Sequence, residues 1–501
     1  MRKKPKLLLI IAALGFVLIA ALKTNPAPEP LVIAAPALPK IGEMTYVWDP
    51  ETGGFLPNVY EGLVRFKPRN CDVAPHLATE WHLSPDGRTW TFKIRSGVRL
   101  HDGRILDAGC VKAAFDRKLR AAARFPHLRF LFGMVEEVTT PDPEHVSFRL
   151  EYPYAPFLRN LALPQACIST PGSPPAGTGP YRIERLKRNS ITLRAFEEYW
   201  GPKPAFEKVR IQAVPEAGER LRLLKERTGI VALDLPPGTA ADLPPFTVAR
   251  ITAPSLSYLG FYTSKAPFDN PAARRAVALA LDRKRLCRTL YGGLLPEAGG
   301  PLPPVVFGAA PEAAGPPPDP AKARDLADRT GLRKHPLVLL TYRGTRPYNP
   351  AGGVPLAEEV KRQLETAGLK VKIRVYPWEE LKAAIARQEG DAFLYGWTSD
   401  NGDPDNFLFC LLAGSQITRG FNTTRYRDPL LDVLLYRAQQ IPDSLTRAGL
   451  YRQVQLAVAR ELPFISLNYG AHIAACTADL QGFSLHPVGT YDLAKIKQRQ
   501  H

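Results

Sequence analysis

The chain has 501 residues, with 66 Lys and Arg against 48 Asp and Glu, a formal net charge of +18. An apolar share of 45% with 9% aromatics fills a large core and excludes general disorder, and only 23% charged residues excludes a coiled coil or a polyelectrolyte. Fifty prolines, about twice the usual share, and 38 glycines imply many loops, which argues against an all-α bundle or solenoid; the length suggests about three domains.

Residues 1–25 have the layout of an export signal. Arg2, Lys3, Lys4 and Lys6 precede an uncharged run, 7–22, which Lys23 to Pro26 ends. A cleaved signal peptide and an uncleaved signal anchor both fit. No Cys follows the run, so a lipoprotein anchor is excluded, and small residues beside a cleavage position are lacking. The expected location is the periplasm or the outer face of the cytoplasmic membrane. Without residues 1–25 the charge is 18 − 5 = +13. These cations are spread and alternate with apolar residues, as in Thr91 to Arg95, so they read as a solvated basic surface and not as a nucleic-acid site.

From 60 to 175 short strands and turns dominate. Residues 90–95 and 146–150 alternate as strands, and one helix, 107–122, lies between them with Val111, Ala114, Phe115 and Leu119 on one face. Residues 191–196 and 209–211 read as further strands. A long helix is predicted over 271–290, with Pro271 in its first turn. The Pro- and Gly-rich stretch 299–320 reads as an irregular surface loop in preference to a domain linker. The segment 336–399 is the most regular: strand 336–342, helix 354–368, strand 370–376, helix 378–388 and strand 392–396. That order implies a parallel sheet. The six cysteines lie far apart and permit bridges that spacing does not choose. His76 and His82 read as packed surface, and no metal-ligand, nucleophile or phosphate-loop spacing occurs. No cofactor, no metal site and no enzymatic activity are expected.

In open α/β sheets ligands bind beyond the carboxyl ends of the strands. Two loops fall there: Arg343 to Pro350 carries a guanidinium that can fork onto a carboxylate, and Trp397 to Asn406 carries carboxylates that can accept from an ammonium. A cation and an anion on one rim suit a ligand with a carboxylate at one end and an amine at the other. An extended dipeptide spans about 7 Å. Trp397 is the candidate apolar wall. On spacing alone, the competing reading is that Arg346 and Asp400 pair with each other or with water in surface loops. Asp400, Asp403 and Asp405 do not fall at the alternating positions of a calcium loop.

At these residues the text resembles a known family. Tyr60 to Val64, Pro75 to Trp81, Asp86-Gly87, Val98 to Gly103, Gly177 to Tyr181, Tyr199 to Gly201 and Pro267 to Asn270 follow in order the blocks of the bacterial extracellular solute-binding proteins, family 5, receptors of ABC importers. The resemblance runs from about residue 45 to the C-terminus. Arg346 to Pro350 and Gly396 to Asn406 are most similar to its dipeptide-binding branch.

The resemblance implies an α/β fold of the periplasmic binding protein type II kind, two lobes around a hinged cleft plus an extra domain. It implies domain I in pieces at 35–60, 178–255 and 475–501, domain II at 61–177 and domain III at 256–474. It implies Asp400 for the peptide ammonium and Arg346 for its carboxylate, with Trp397, Thr398, Gly396 and Tyr348 around them. The implied partners are a small peptide, an ABC-type permease and its ATPase subunits; the chain is expected to be a monomer, with membrane attachment through its N-terminal segment open. The same fold serves longer or cationic peptides, haem or metal chelates, and an exported envelope protein without transport role is the reading from another class. Cys110, Tyr262 and an unaccompanied Cys410 depart from the family pattern.

Overall fold

The computed structural model describes residues 30–42, 46, 49–240 and 246–500, so the export segment lies outside the described residues. A ten-stranded mixed sheet runs through the molecule in the order Val371–Tyr376, Leu337–Tyr342, Ala392–Thr398, Thr247–Phe261, Phe464–Cys476, Ile230–Ala232, Leu31–Ala35, Lys208–Ala213, Ser190–Ala195, Tyr181–Lys187. Its two longest strands, Thr247–Phe261 and Phe464–Cys476, pair antiparallel and carry the sheet from one half to the other. Their register breaks between Thr252 and Leu256, opposite Ala471 and Tyr469. Pro254 has no N–H to give the ladder, so the break falls where a sheet tolerates it and bends the pair between the halves.

In one half, Leu337–Tyr342 pairs parallel with both Val371–Tyr376 and Ala392–Thr398, as the βαβαβ order demands, through helices Gly353–Thr366 and Trp378–Ala386. This parallel unit is not a sheet of its own, because Ala392–Thr398 also pairs antiparallel with Thr247–Phe261. One contiguous core, running from Leu256 to Tyr469 in sequence, fills this half. The other half holds a separate four-stranded antiparallel sheet, Ala78–Leu83, Thr89–Ile94, His145–Leu150 and Val135–Asp142. Its own core includes Phe92, Phe115, Phe132, Phe148 and Phe157. Phe115 and Phe148 meet edge to face at 4.8 Å, and fully burying such a ring stabilises by about 3 kcal/mol.

Two helix readings are corrected. The single helix expected over 271–290 is two, Pro271–Ala280 and Arg283–Tyr291, because Leu281 is extended and Asp282 caps the second through the Arg285 amide. Between the strands of the four-stranded sheet, helix Ala108–Ala121 is followed by a second, Pro126–Phe132, opened by a proline in its first turn. The stretch 299–320 is irregular but not a simple surface loop: Leu302, Val306, Ala310 and Ala313 are buried. His76 is half-buried, with its Nε2 3.0 Å from Glu61. All six cysteines are free thiols.

Candidate functional site

The loop after strand Leu337–Tyr342 is held from beneath. Asn349 is fully buried; its Nδ2 donates to the Tyr342 hydroxyl at 2.9 Å and its Oδ1 accepts from Tyr291 at 2.9 Å. Arg346 and Asn349 exchange backbone hydrogen bonds of 3.1 and 2.8 Å, which closes the turn. The next residue inward, Tyr348, lays its ring over Gly396: a Cβ at 396 would stand 2.4 Å from the ring carbons, so only glycine fits there. Gly470 on the crossing strand plays the same part, with a built Cβ 2.1 Å from Ser255 Oγ and 3.2 Å from the Pro347 carbonyl. The loop, the third strand and both crossing strands therefore converge on one rim, beside the register break.

Arg346 stands on this rim with its guanidinium 3.8 Å from the centre of the Trp378 ring and 5.8 Å from that of Tyr342. Trp378 in turn stacks on Tyr395 at 4.9 Å, 8° from parallel. Aromatic faces hold the cation, while no carboxylate among the described residues pairs with it and its buried Nε has no hydrogen-bond partner. The hydroxyls of Tyr348, Ser255 and Ser257 are likewise buried without partners.

Asp400 follows strand Ala392–Thr398, where the Ser399 amide donates to the Pro254 carbonyl at 2.8 Å and ties the loop to the register break. Among the described residues no hydrogen bond or ion pair reaches its carboxylate. Burial with no compensating charge pushes its pKa from 3.8 up to about 7. Trp397 is fixed by its Nε1, which donates to Asn406 at 2.9 Å, and its ring meets Phe421 edge-on at 5.6 Å. Thr398 is exposed and lies opposite Ser255 in the sheet.

The fold thus brings Tyr348 and Gly396 into contact and puts Arg346, Trp397, Thr398 and Asp400 on the same edge. Arg346 and Asp400 do not neutralise each other: no ion pair joins them among the described residues. Asp403, in the same loop, is spent on structure. It is fully buried, accepts from Arg447 at 2.8 and 3.0 Å, and caps helix Pro404–Leu412 through the Asp405 amide.

Trp378 is the participant that sequence reasoning passed over. It opens the helix after Val371–Tyr376, which places it at the same carboxyl edge as the two loops, and that position was its available signal. The rim therefore presents a half-buried anion, an aromatic-backed cation and buried hydroxyls without partners side by side.

Comparison with known proteins agrees with this architecture. Residues 72–419 match the model of the bacterial extracellular solute-binding proteins, family 5. Di/tripeptide-binding protein 2 of Pseudomonas aeruginosa (strain UCBPP-PA14) is 28% identical over 99% of this chain and 100% of its own. HbpA2 from Haemophilus parasuis superposes with a TM-score of 0.83 at 26% identity, covering 94% of this chain and 100% of that one. The dipeptide-binding protein from Pseudoalteromonas sp. SM9913, solved in complex with Met-Leu, gives 0.73 at 26% identity over 94% and 100%. This is the two-lobed periplasmic binding protein architecture around a hinged cleft, and the chain belongs to the bacterial extracellular solute-binding proteins, family 5.

Proposed function

We propose that the chain is the exported binding component of an ABC importer that captures short peptides, dipeptides first, with Asp400 taking the ammonium and Arg346 the carboxylate. The observation that carries this reading is the pair of opposite charges left without ion-pair partners on adjacent loops of one rim, the half-buried carboxylate having its pKa raised to about 7. A desolvated carboxylate that lacks a counter-charge gains most from a ligand that brings one. Tyr348, Gly396, Trp397 and Thr398 supply the wall and backbone around the peptide. The di/tripeptide-binding relative and the Met-Leu complex of a structural neighbour point to the same ligand class.

Capture proceeds by lobe closure about the strands Thr247–Phe261 and Phe464–Cys476. In this reading residues 61–177 form one domain and 256–474 another, with 35–60, 178–255 and 475–501 making up the third. Closure buries the peptide, and the closed monomer presents it to a membrane permease whose ATPase subunits supply the energy. The export segment delivers the chain to the periplasmic side of the membrane.

Calorimetric titration of the purified chain with dipeptides tests this, with Trp397 fluorescence as a second readout. Saturable binding that Asp400→Asn and Arg346→Met each weaken by about a hundredfold is expected. Unchanged affinity in either variant overturns the site.

A further inference from the structure

The two cores also meet through side chains, at a polar junction where residues 154–160 face residues 401–405. Asn401 Nδ2 donates to Asn160 Oδ1 at 2.7 Å. Gly402, at φ +58°, packs so closely on Cys71 that a Cβ there would lie 2.3 Å from the sulfur. Arg159 Nη1 donates to Asp403 at 3.2 Å, and the Tyr154 hydroxyl donates to Asp405 at 3.1 Å. Four of the five residues that follow Asp400 therefore touch the other half.

Arg159 is the centre of this junction. It is 8% exposed; its Nε donates to the Cys71 carbonyl at 3.2 Å, its guanidinium lies 4.6 Å from the Phe307 ring centre, and Asp72 stands 3.9 Å away. Asp403 does not need Arg159 for neutrality, because Arg447 already gives it two hydrogen bonds from within its own half. What Arg159 adds is a tie across the halves, anchored on Cys71 on one side and on Asp403 and Phe307 on the other.

We propose that Arg159 is a positioning residue for ligand capture: by tying Asp403 to the opposite half, it sets where Asp400, three residues earlier in the same loop, meets the ligand ammonium. The proposal rests on the reading of Asp400 as the ammonium partner. Arg159 touches no ligand in this scheme. Its removal loosens one end of the peptide and leaves the Arg346 end as it was. Methionine in its place keeps the contact with Phe307, and Asp403 stays paired with Arg447, so the variant retains its fold.

The test compares the affinity of a free dipeptide with that of its N-acetylated form, which has no ammonium, in the full chain and in Arg159→Met, Arg159→Lys and Asp400→Asn. Deuterium exchange of the 400–406 amides is followed without peptide. Arg159→Met is expected to weaken the free dipeptide about tenfold and the acetylated one less than twofold. It should speed exchange across 400–406 about tenfold, with the unfolding midpoint within about 3 °C of the parent. Arg159→Lys, which still reaches Asp403, should recover part of both effects. Equal weakening of the two peptides, no weakening, or unchanged exchange overturns the proposal. In each of those cases Asp400→Asn separates the causes. If that variant abolishes the preference for the free amine, the site reading stands and the role of Arg159 fails; if it does not, the site reading fails as well.

Discussion

Asp400 and Asp403 lie three residues apart on one loop and meet opposite surroundings. Asp403 is fully buried and accepts from Arg447, Arg159 and the Asp405 amide, and those two guanidiniums hold its pKa below the usual carboxylate range against the cost of burial. Asp400 is half-buried with no cation beside it, and desolvation raises its pKa to about 7. The arginines divide the same way: Arg447 is committed to Asp403, whereas Arg346 has only aromatic faces. A buried charge whose lone pairs are filled holds the fold together. One left unfilled keeps its desolvation cost, which a ligand of opposite charge would offset.

The comparison breaks most visibly if the committed member is removed. Asp403→Ala leaves Arg447, 2% exposed, without its carboxylate and Arg159 with only the distant Asp72 at 3.9 Å, and should destabilise the protein by about 3–5 kcal/mol in urea unfolding. Asp400→Asn should leave folding intact at pH 4, where the carboxyl is protonated, and raise the unfolding midpoint at pH 8. The sign follows from linkage. A carboxyl with a raised folded pKa binds more protons in the folded than in the unfolded chain, so ligand-free stability falls as pH rises from about 4 to about 7. For Asp403 the folded pKa is depressed, so its contribution is present above the ordinary Asp range and is lost as pH falls through the lower folded value.

With ligand, the two residues exchange ranks. Asp400→Asn is expected to cost about a hundredfold in dipeptide affinity, about 2.7 kcal/mol by calorimetry, within the usual range for truncating a desolvated charge pair. If the ammonium binds Asp400 as proposed, it returns the carboxyl to its ionised form, and binding near pH 6 should release up to about one proton. Titration in buffers of different ionisation enthalpy reads this directly, and no proton release in the parent chain would place the raised pKa elsewhere.

How much of this was legible in the sequence differs between the same regions. The βαβαβ order could be read because alternation and helical spacing are local properties, and with it the rim that carries Arg346 and Asp400. The partition of the acids could not be read. Asp403 meets Arg447 and Arg159, which lie 44 and 244 residues away, and nothing in the spacing of Asp400, Asp403 and Asp405 says which one the fold consumes. The break at Leu281 was missed because Asp282 is a capping residue inside an otherwise continuous apolar pattern, where periodicity outweighed it. The family resemblance, not the chemistry, singled out Asp400.

The smallest expected effect sharpens the comparison on the cationic side. Arg346 is oriented by Trp378, whose ring it covers at 3.8 Å, and Trp378 is itself braced against Tyr395. Replacing Trp378 by alanine removes a cation–π contact of about 1 kcal/mol and frees the side chain to adopt other rotamers. The charge itself remains. Dipeptide affinity should therefore fall only about fivefold, and the loss should vanish when the ligand is the dipeptide amide, which has no carboxylate for Arg346 to fork onto. An equal loss for acid and amide would mean that Trp378 supports the wall of the pocket and not the orientation of the guanidinium. Arg346 would then be poised by its own loop, through the turn it closes with Asn349.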